Sequence, residues 1–245
     1  MKKTINIFIL VLLTITFAMP FAIKAQKHYG FTGERGNGNV VKRERAVSGF
    51  HAIDVSGGID VYIIQDKMEK AVVEADENLH GLIITEVENG VLKIYHNKSI
   101  RNSKAMKVHV YVTKLDKIEA SGASDVYSES KLILPTLTAD MGGGSDIDLN
   151  CDISDLKCNL NGGSDAKLKG KVENAELTAV GGSDIKASGL KIKKCTIEVT
   201  GGSDAWVNVT DELSVTANGG SDVTYTGAAR IVSKHLSGAS DLIKK

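Results

Sequence analysis

A short Gly-Ser-Asp pattern returns at near-constant spacing through the second half of the chain. It restricts the fold more than any other feature. Ser121-Gly122-Ala123-Ser124-Asp125 is followed by Gly143-Gly144-Ser145-Asp146, Gly162-Gly163-Ser164-Asp165 and Gly181-Gly182-Ser183-Asp184. Gly201-Gly202-Ser203-Asp204, Gly219-Gly220-Ser221-Asp222 and Gly238-Ala239-Ser240-Asp241 continue it. The Asp-to-Asp steps are 21, 19, 19, 20, 18 and 19 residues, and Ser56-Gly57-Gly58-Ile59-Asp60 is an earlier, degenerate copy. Self-similarity at this period marks a stack of units that bury a core only against their neighbours.

The residues between copies alternate. Cys195, Ile197 and Val199 precede one corner, and Ala205, Val207 and Val209 follow it. Period two marks half-buried strands. Short strands at a fixed step, joined by glycine turns, predict an all-β, right-handed parallel β-solenoid of about 19 residues per coil. The hand follows the usual preference of parallel crossovers. The step aligns Ile118, Ala139, Cys158, Leu177, Ile197 and Val215 as one inward ladder. It aligns Val126, Ile147, Ala166, Ile185, Ala205, Val223 and Leu242 as another. Lys234 interrupts the first ladder in the last coil.

The chain divides into four segments. Residues 1–25 read as a signal peptide, with Lys2 and Lys3 before the apolar Ile5–Phe17 run and Ala25 at the cleavage position. That run is shorter than the ~20 residues of a spanning helix. No second apolar run follows, so the mature chain is expected to be exported without a transmembrane segment, to the periplasm, the cell surface or the medium. Residues 26–45 lack periodicity and read as a flexible leader. Residues 46–115 read as irregular first coils that cap the stack, with Asn89-Gly90 as a hairpin turn. Residues 116–245 form the regular repeats.

Composition narrows function. Thirty basic against thirty acidic residues argue against a nucleic-acid binder. Removal of Lys2, Lys3 and Lys24 leaves 27 basic against 30 acidic, a net −3. Cys151, Cys158 and Cys195 have no metal-ligand spacing, and Cys158 and Cys195 fall on inward positions, so buried thiols are expected. The six histidines are scattered, and Arg230 is the one arginine after Arg101. Catalysis is not expected, because turns already account for the repeated Ser-Asp pairs.

Alternation through the corner points Ser145, Ser164, Ser183, Ser203 and Ser221 inward and the aspartates outward. Aspartates stacked one coil apart repel, by roughly 1 kcal/mol per pair in water. Turn N–H donors relieve this at no further cost. Bound Ca²⁺ is the sharper alternative, with Asp146, Asp165, Asp184, Asp204 and Asp222 as candidate ligands and Asp125 and Asp241 at the ends of the column. No other cofactor is implied. Two residues after each Asp an outward column reads Tyr127, Asp148, Lys167, Lys186, Trp206, Thr224 and Ile243. Tyr127, Lys167, Lys186 and Trp206 are its candidate ligand face. An unpaired last coil, guarded by Lys244 and Lys245, offers a second copy a place to form a homodimer.

The sequence also resembles a known family. Phe50-His51-Ala52-Ile53-Asp54-Val55-Ser56-Gly57-Gly58-Ile59-Asp60-Val61-Tyr62-Ile63, the Leu115–Ala120 segment leading into Ser121–Asp125, and the serial Gly-Ser-Asp turns resemble the secreted head GIN domain proteins, described as autotransporter adhesins. Here Gly58-Ile59-Asp60 stands where that family has Gly-Ile-Asn. The resemblance spans about residues 46–245. It implies a parallel β-helix similar to pectin-lyase-like solenoids, without a recognised catalytic set. No translocating barrel follows Lys245, so self-translocation is not expected. The reading that results is a non-catalytic secreted or cell-envelope binding protein, adhesin-like, presenting a repetitive face to glycan or cell-surface protein. The alternatives are a structural protein that self-associates or binds an envelope partner, and, less favoured, a polysaccharide-active enzyme.

Overall fold

The computed structural model describes residues 32–245. The signal peptide assigned to residues 1–25 lies outside them. In chain order the first strands are β1 (Glu34–Arg35), β2 (Val40–Arg45), β3 (Ala52–Val55), β4 (Asp60–Gln65), β5 (Lys70–Asp76) and β6 (Ile83–Glu88). Next come β7 (Val91–His96), β8 (Ile100–Asn102), β9 (Met106–Val112), β10 (Lys117–Ala120), β11 (Val126–Ser128), β12 (Leu132–Gly142) and β13 (Ile147–Asn161). The last are β14 (Ala166–Gly181), β15 (Ile185–Gly201), β16 (Ala205–Gly219), β17 (Val223–Thr226), β18 (Arg230–Gly238) and β19 (Leu242–Lys244). A single 3-10 turn, Glu77–Leu79, is the only helical element among the described residues.

The fold is a β-solenoid. From β10 onward each coil pairs in parallel with the next, and both expected ladders are the observed register. Their side chains form one continuous buried core, with Leu242 partly buried at the end. Lys234 follows Val215 in register and is exposed in the last coil. Each regular coil turns twice. The first corner is the Gly-Ser-Asp turn. The second carries two successive outward residues, such as Ser154-Asp155, Glu173-Asn174 and Lys193-Lys194, which shift the phase of the alternation.

Glycine is required at the first corner. Gly57, Gly122, Gly143, Gly162, Gly181, Gly201, Gly219 and Gly238 all have positive φ and pack backbone against backbone in one column. A Cβ on Gly201 would stand 2.8 Å from the Gly181 carbonyl oxygen. The position after it is freer from Gly182 onward, where φ is not positive, and Ala239 occupies it in the last coil.

The N-terminal part is a true coil with a lid. β3 lies between β7 and β10, and β4 between β9 and β11, all parallel. Antiparallel strands close the end: β6 on β7, and β5 between β9 and β2. Asn89 and Gly90 both have positive φ, as the hairpin turn demands. Residues 40–45 correct the expected leader, because they form the edge strand β2. Charge pairs hold this strand, and apolar periodicity does not. Lys42 meets Glu74 at 3.0 Å, Lys70 meets Glu44 at 3.0 Å and Arg45 donates to the His80 carbonyl at 2.9 Å. Buried Asp76 accepts N–H bonds from Gly38, Lys104 and Ala105.

Two stability experiments follow from this geometry. Gly201→Ala is expected to cost about 2 kcal/mol or more, while Gly202→Ala, with its Cβ 3.8 Å from the nearest atom, stays near neutral in denaturant melts. For Asp76, burial acts to raise the pKa, but the three backbone donors outweigh it and hold the carboxyl below its ordinary value. Its contribution is therefore present above the unfolded carboxyl's pKa and lost as pH falls through the folded value. Asp76→Asn should flatten the acid limb of the melting profile; an unchanged limb would remove Asp76 from that account.

Candidate functional site

The Gly-Ser-Asp corner carries two hydrogen-bond ladders of opposite direction. All seven corner serines from Ser124 to Ser240 are buried or nearly so. Six of them accept the N–H of the preceding corner's serine, as Ser145 from Ser124 at 3.0 Å, Ser183 from Ser164 at 3.2 Å and Ser240 from Ser221 at 3.3 Å, and Ser124 accepts from Gly58 and Ile59 N–H. In Ser164, Ser183 and Ser203 the hydroxyl's own proton goes to the carbonyl three residues earlier, as in Ser183 to Val180 at 3.1 Å. The aspartates run the other way. Asp165 N–H donates to Asp146 Oδ1 at 2.8 Å, and Asp222 N–H to Asp204 Oδ1 at 2.9 Å. Asp184, Asp204, Asp146 and Asp241 donate in the same manner to the aspartate one coil earlier.

The structure thus brings the candidate calcium ligands into one column but engages one oxygen of each from Asp125 to Asp222 within the fold. Lys186 also reaches Asp165 at 2.7 Å and Asp184 at 3.6 Å. Among the described residues, no three His, Cys, Asp or Glu side chains are placed to hold a metal ion. Asp60 heads the column. Burial, then the neighbouring Asp125 charge, raises its pKa, while Lys107 opposes the shift.

The outward column has the register read from the sequence: Tyr127, Asp148, Lys167, Lys186, Trp206, Thr224, Ile243. Its lysines are ion-paired, Lys167 to Asp148 at 3.1 Å and Lys186 as above. Trp206 is half-buried between Lys186 and Thr224. Tyr127 does not join Trp206. It stacks on Tyr62 at 5.1 Å, and Tyr62 stacks on His109 at 5.2 Å. The Tyr127 hydroxyl donates to Asp125 at 3.1 Å, and burial, then this bond, raises its pKa. His109 lies between Glu74 at 3.3 Å and Glu129 at 3.4 Å. Rings stacked face to face along the coil axis turn their edges, not their faces, to solvent. Sequence reasoning missed Tyr62 and His109, although Tyr62 stands two residues after Asp60, the same offset that marked Tyr127.

A concavity lies on the second corner. It is a groove of about 530 Å³ running along the coil axis. One wall is the register column Thr136, Asp155, Asn174, Lys194 and Glu212. The other is Thr138, Lys157, Glu176, Thr196 and Ser214. Its floor is the buried row Leu137, Leu156, Ala175 and Cys195. Two ion pairs lie along the walls, Lys157 with Glu176 at 2.6 Å and Lys194 with Glu212 at 3.3 Å, while Asp155 forms no ion pair among the described residues. Asn174 donates to Asp155 at 2.8 Å. The doubled outward residues at each second corner were the sequence signal for this groove.

The three cysteines are free, buried thiols. Burial pushes Cys151 up to about 11 and Cys158 and Cys195 to about 12. At neutral pH they stay protonated, unsuited to nucleophilic attack or metal binding.

Fold and surface define a β-solenoid scaffold whose interior is fully committed to stacking and whose exterior offers axial rows and one groove. The chain belongs to the family described as "Putative auto-transporter adhesin, head GIN domain", which matches residues 49–229. Among solved structures it is similar to a Bacteroides fragilis "putative adhesin" at 24% identity and a TM-score of 0.79, covering 86% of this chain and 99% of that one. It is also similar to a Parabacteroides distasonis "putative lipid binding protein" at 22% identity and a TM-score of 0.71, covering 86% and 99%. A Parabacteroides merdae "putative adhesin" follows at 20% identity and a TM-score of 0.68, covering 86% and 98%. At these identities the likeness concerns the fold. No curated protein matches the chain.

The aspartate ladder is open to a direct check. Asp204→Asn keeps an oxygen acceptor for Asp222 N–H and removes one charge from the column, so its stability should stay within about 0.5 kcal/mol of the parent. Asp204→Ala, which strands that N–H, should cost about 1 kcal/mol. Equal losses in both variants would show that charge, not hydrogen bonding, is what the position supplies.

Proposed function

We propose that the protein is a non-catalytic, exported binding protein of adhesin type whose receptor surface is the axial groove on the second corner. The observation that carries this reading is a groove that crosses successive coils with four of its five charged side chains ion-paired within its own walls. Solenoids present such extended surfaces to extended ligands. With Lys157, Glu176, Lys194 and Glu212 ion-paired and Asp155 accepting from Asn174, the groove offers the hydroxyls of Thr138, Thr196 and Ser214 and the amide oxygen of Asn174 to a partner. That chemistry fits a neutral polyhydroxyl chain, a glycan, better than a charged small molecule. The family's description as an adhesin and the apolar leader at Ile5–Phe17 support an extracytoplasmic role. No helix among the described residues is long and apolar enough to cross a membrane.

In this reading the Asp column is a structural device and needs no calcium. Melting temperature should then be the same within about 1 °C in free Ca²⁺ and in chelator. A rise of several degrees with Ca²⁺ would instead make the column a metal site.

The binding test is a glycan array probed with residues 26–245, parent and variants. Asn174→Ala with Thr196→Val should weaken binding roughly tenfold, as expected for the loss of two polar contacts. Trp206→Ala should leave it unchanged. Loss in Trp206→Ala alone would move the site to the outward column, and a blank array for the parent would overturn sugar recognition.

A further inference from the structure

A second surface has the opposite electrostatic character. Residues 166–203 hold seven lysines against four acidic residues, in a chain whose predicted mature form carries net negative charge. Four of these lysines are paired: Lys167, Lys186, Lys193 and Lys194. Lys169 reaches Asp148 only at 3.9 Å, where Lys167 already sits at 3.1 Å. Lys171 and Lys191 form no ion pair among the described residues, yet they are direct register partners on adjacent coils. Like charges placed opposite each other across strands work against the fold. Asp152 lies in register with Lys171 on the coil before, but its carboxylate is already engaged by Lys131 at 3.0 Å and offsets the lysine pair only in part.

The backbone at the same place departs from the regular stack. The coil from Asp184 to Asp204 has 20 residues and the next has 18. The difference collects at residues 188–190. Pairing of β15 with β16 jumps from Ala187↔Val207 to Lys191↔Asn208. Pairing of β14 with β15 shifts between Lys167 and Lys169. Ser188 and Gly189 are exposed at this bulge, and Lys169 lies directly against Gly189. Bulges re-aim side chains and concentrate near functional surfaces. Here one spreads small residues between Lys169, Lys171 and Lys191.

We propose that the patch of Lys169, Lys171 and Lys191 beside this bulge binds the anionic groups of an acidic polysaccharide. It rests on the binding-protein reading above but uses a different surface and a different ligand charge. The patch is open, so a single small anion would gain little from exposed lysines. A polyanion meets several at once and gains by releasing its counterions and by multivalency. Lysines one coil apart, at ~4.8 Å, are spaced close to one pyranose unit of an extended chain. The patch contains no arginine, whose planar fork is the group suited to bidentate capture of phosphate. That favours a carboxylated or sulfated sugar polymer over a nucleic acid or a phospholipid surface.

The test measures binding of residues 26–245 to polygalacturonate and dextran sulfate across a salt series. Neutral dextran, single-stranded DNA and phosphatidylglycerol vesicles are the comparison arms. Binding to an acidic polysaccharide is expected, weakening as salt rises. Lys169→Gln, Lys171→Gln and Lys191→Gln together should reduce affinity at least tenfold and lower the salt slope. A control triple of equal charge change, Lys67→Gln, Lys98→Gln and Lys114→Gln, should keep both. Lys191→Gln alone should also raise the melting temperature at low salt by relieving its repulsion with Lys171. No polysaccharide binding at low salt, equal loss in the control triple, or tighter binding to DNA or vesicles would each overturn the proposal. The groove variants Asn174→Ala and Thr196→Val should leave polyanion binding intact, so failure at the groove and failure at the lysine patch are read separately.

Discussion

The buried serine hydroxyl at the Gly-Ser-Asp corner is the interaction on which the stack depends. A strand that turns sharply exposes N–H groups that no ladder strand can reach, and a buried donor without a partner costs about 1–3 kcal/mol. Ser183 removes two such donors at once, Gly163 N–H and Ser164 N–H, both at 3.2 Å. The aspartate beside it reaches the other way, so every interior corner is tied to the coil before and the coil after through different atoms. Stability in such a stack is a sum of neighbour terms, and these corner bonds supply a term that does not depend on the identity of the apolar ladder residues. The cores can therefore alternate Cys158, Leu177 and Ile197 at one level and Ala166, Ile185 and Ala205 at another without losing register.

A stack held together by neighbours must solve the problem of its first member. Here the solution is a set of side chains that imitate a missing coil. His96 bonds the Gly57 carbonyl at 3.1 Å at the head of the glycine column. The Gln65 amide both accepts from Ile133 N–H at 2.7 Å and donates to Ile133 carbonyl at 3.0 Å, standing in for a strand beside β12. Asp76 gathers three backbone donors from two loops. The antiparallel strands β2, β5 and β6 then cover the end with charged edges, the usual protection against edge-to-edge pairing.

The regular coils were legible in the sequence because their determinants are local and repeated. The inward ladders followed from period two and a known step, and the serine and aspartate orientations followed from the same parity. What was not legible has a common cause. β2 reads as a leader because Lys42, Arg43, Glu44 and Arg45 carry no apolar period; its strand character comes from Glu74, Lys70 and His80, far away in the chain. The Tyr62–His109 stack depends on β9 crossing back over β4, a long-range return that no repeat announces. The groove was written in the sequence as doubled polar positions, but depth is a property of the coil's bend, not of residue type.

The repeat also makes its own exceptions informative. In a stack where every position has a counterpart one coil away, a departure stands against an internal reference. Asp152 has Lys131 as its partner, whereas Lys171 and Lys191 have each other. Nearby positions on the same stack keep opposite signs, with Asp148 against Lys167 one coil boundary earlier and Glu173 against Lys193 on the same two coils as Lys171 and Lys191. The same chain that pairs most of the charges of its groove leaves Lys171 and Lys191 without an ion pair among the described residues, next to the bulge at residues 188–190. Folding alone gives no reason for that combination, since either change would be cheaper to avoid than to keep. Local inconsistencies of this kind, in an otherwise consistent sequence, are where binding demands are expected to override those of the fold.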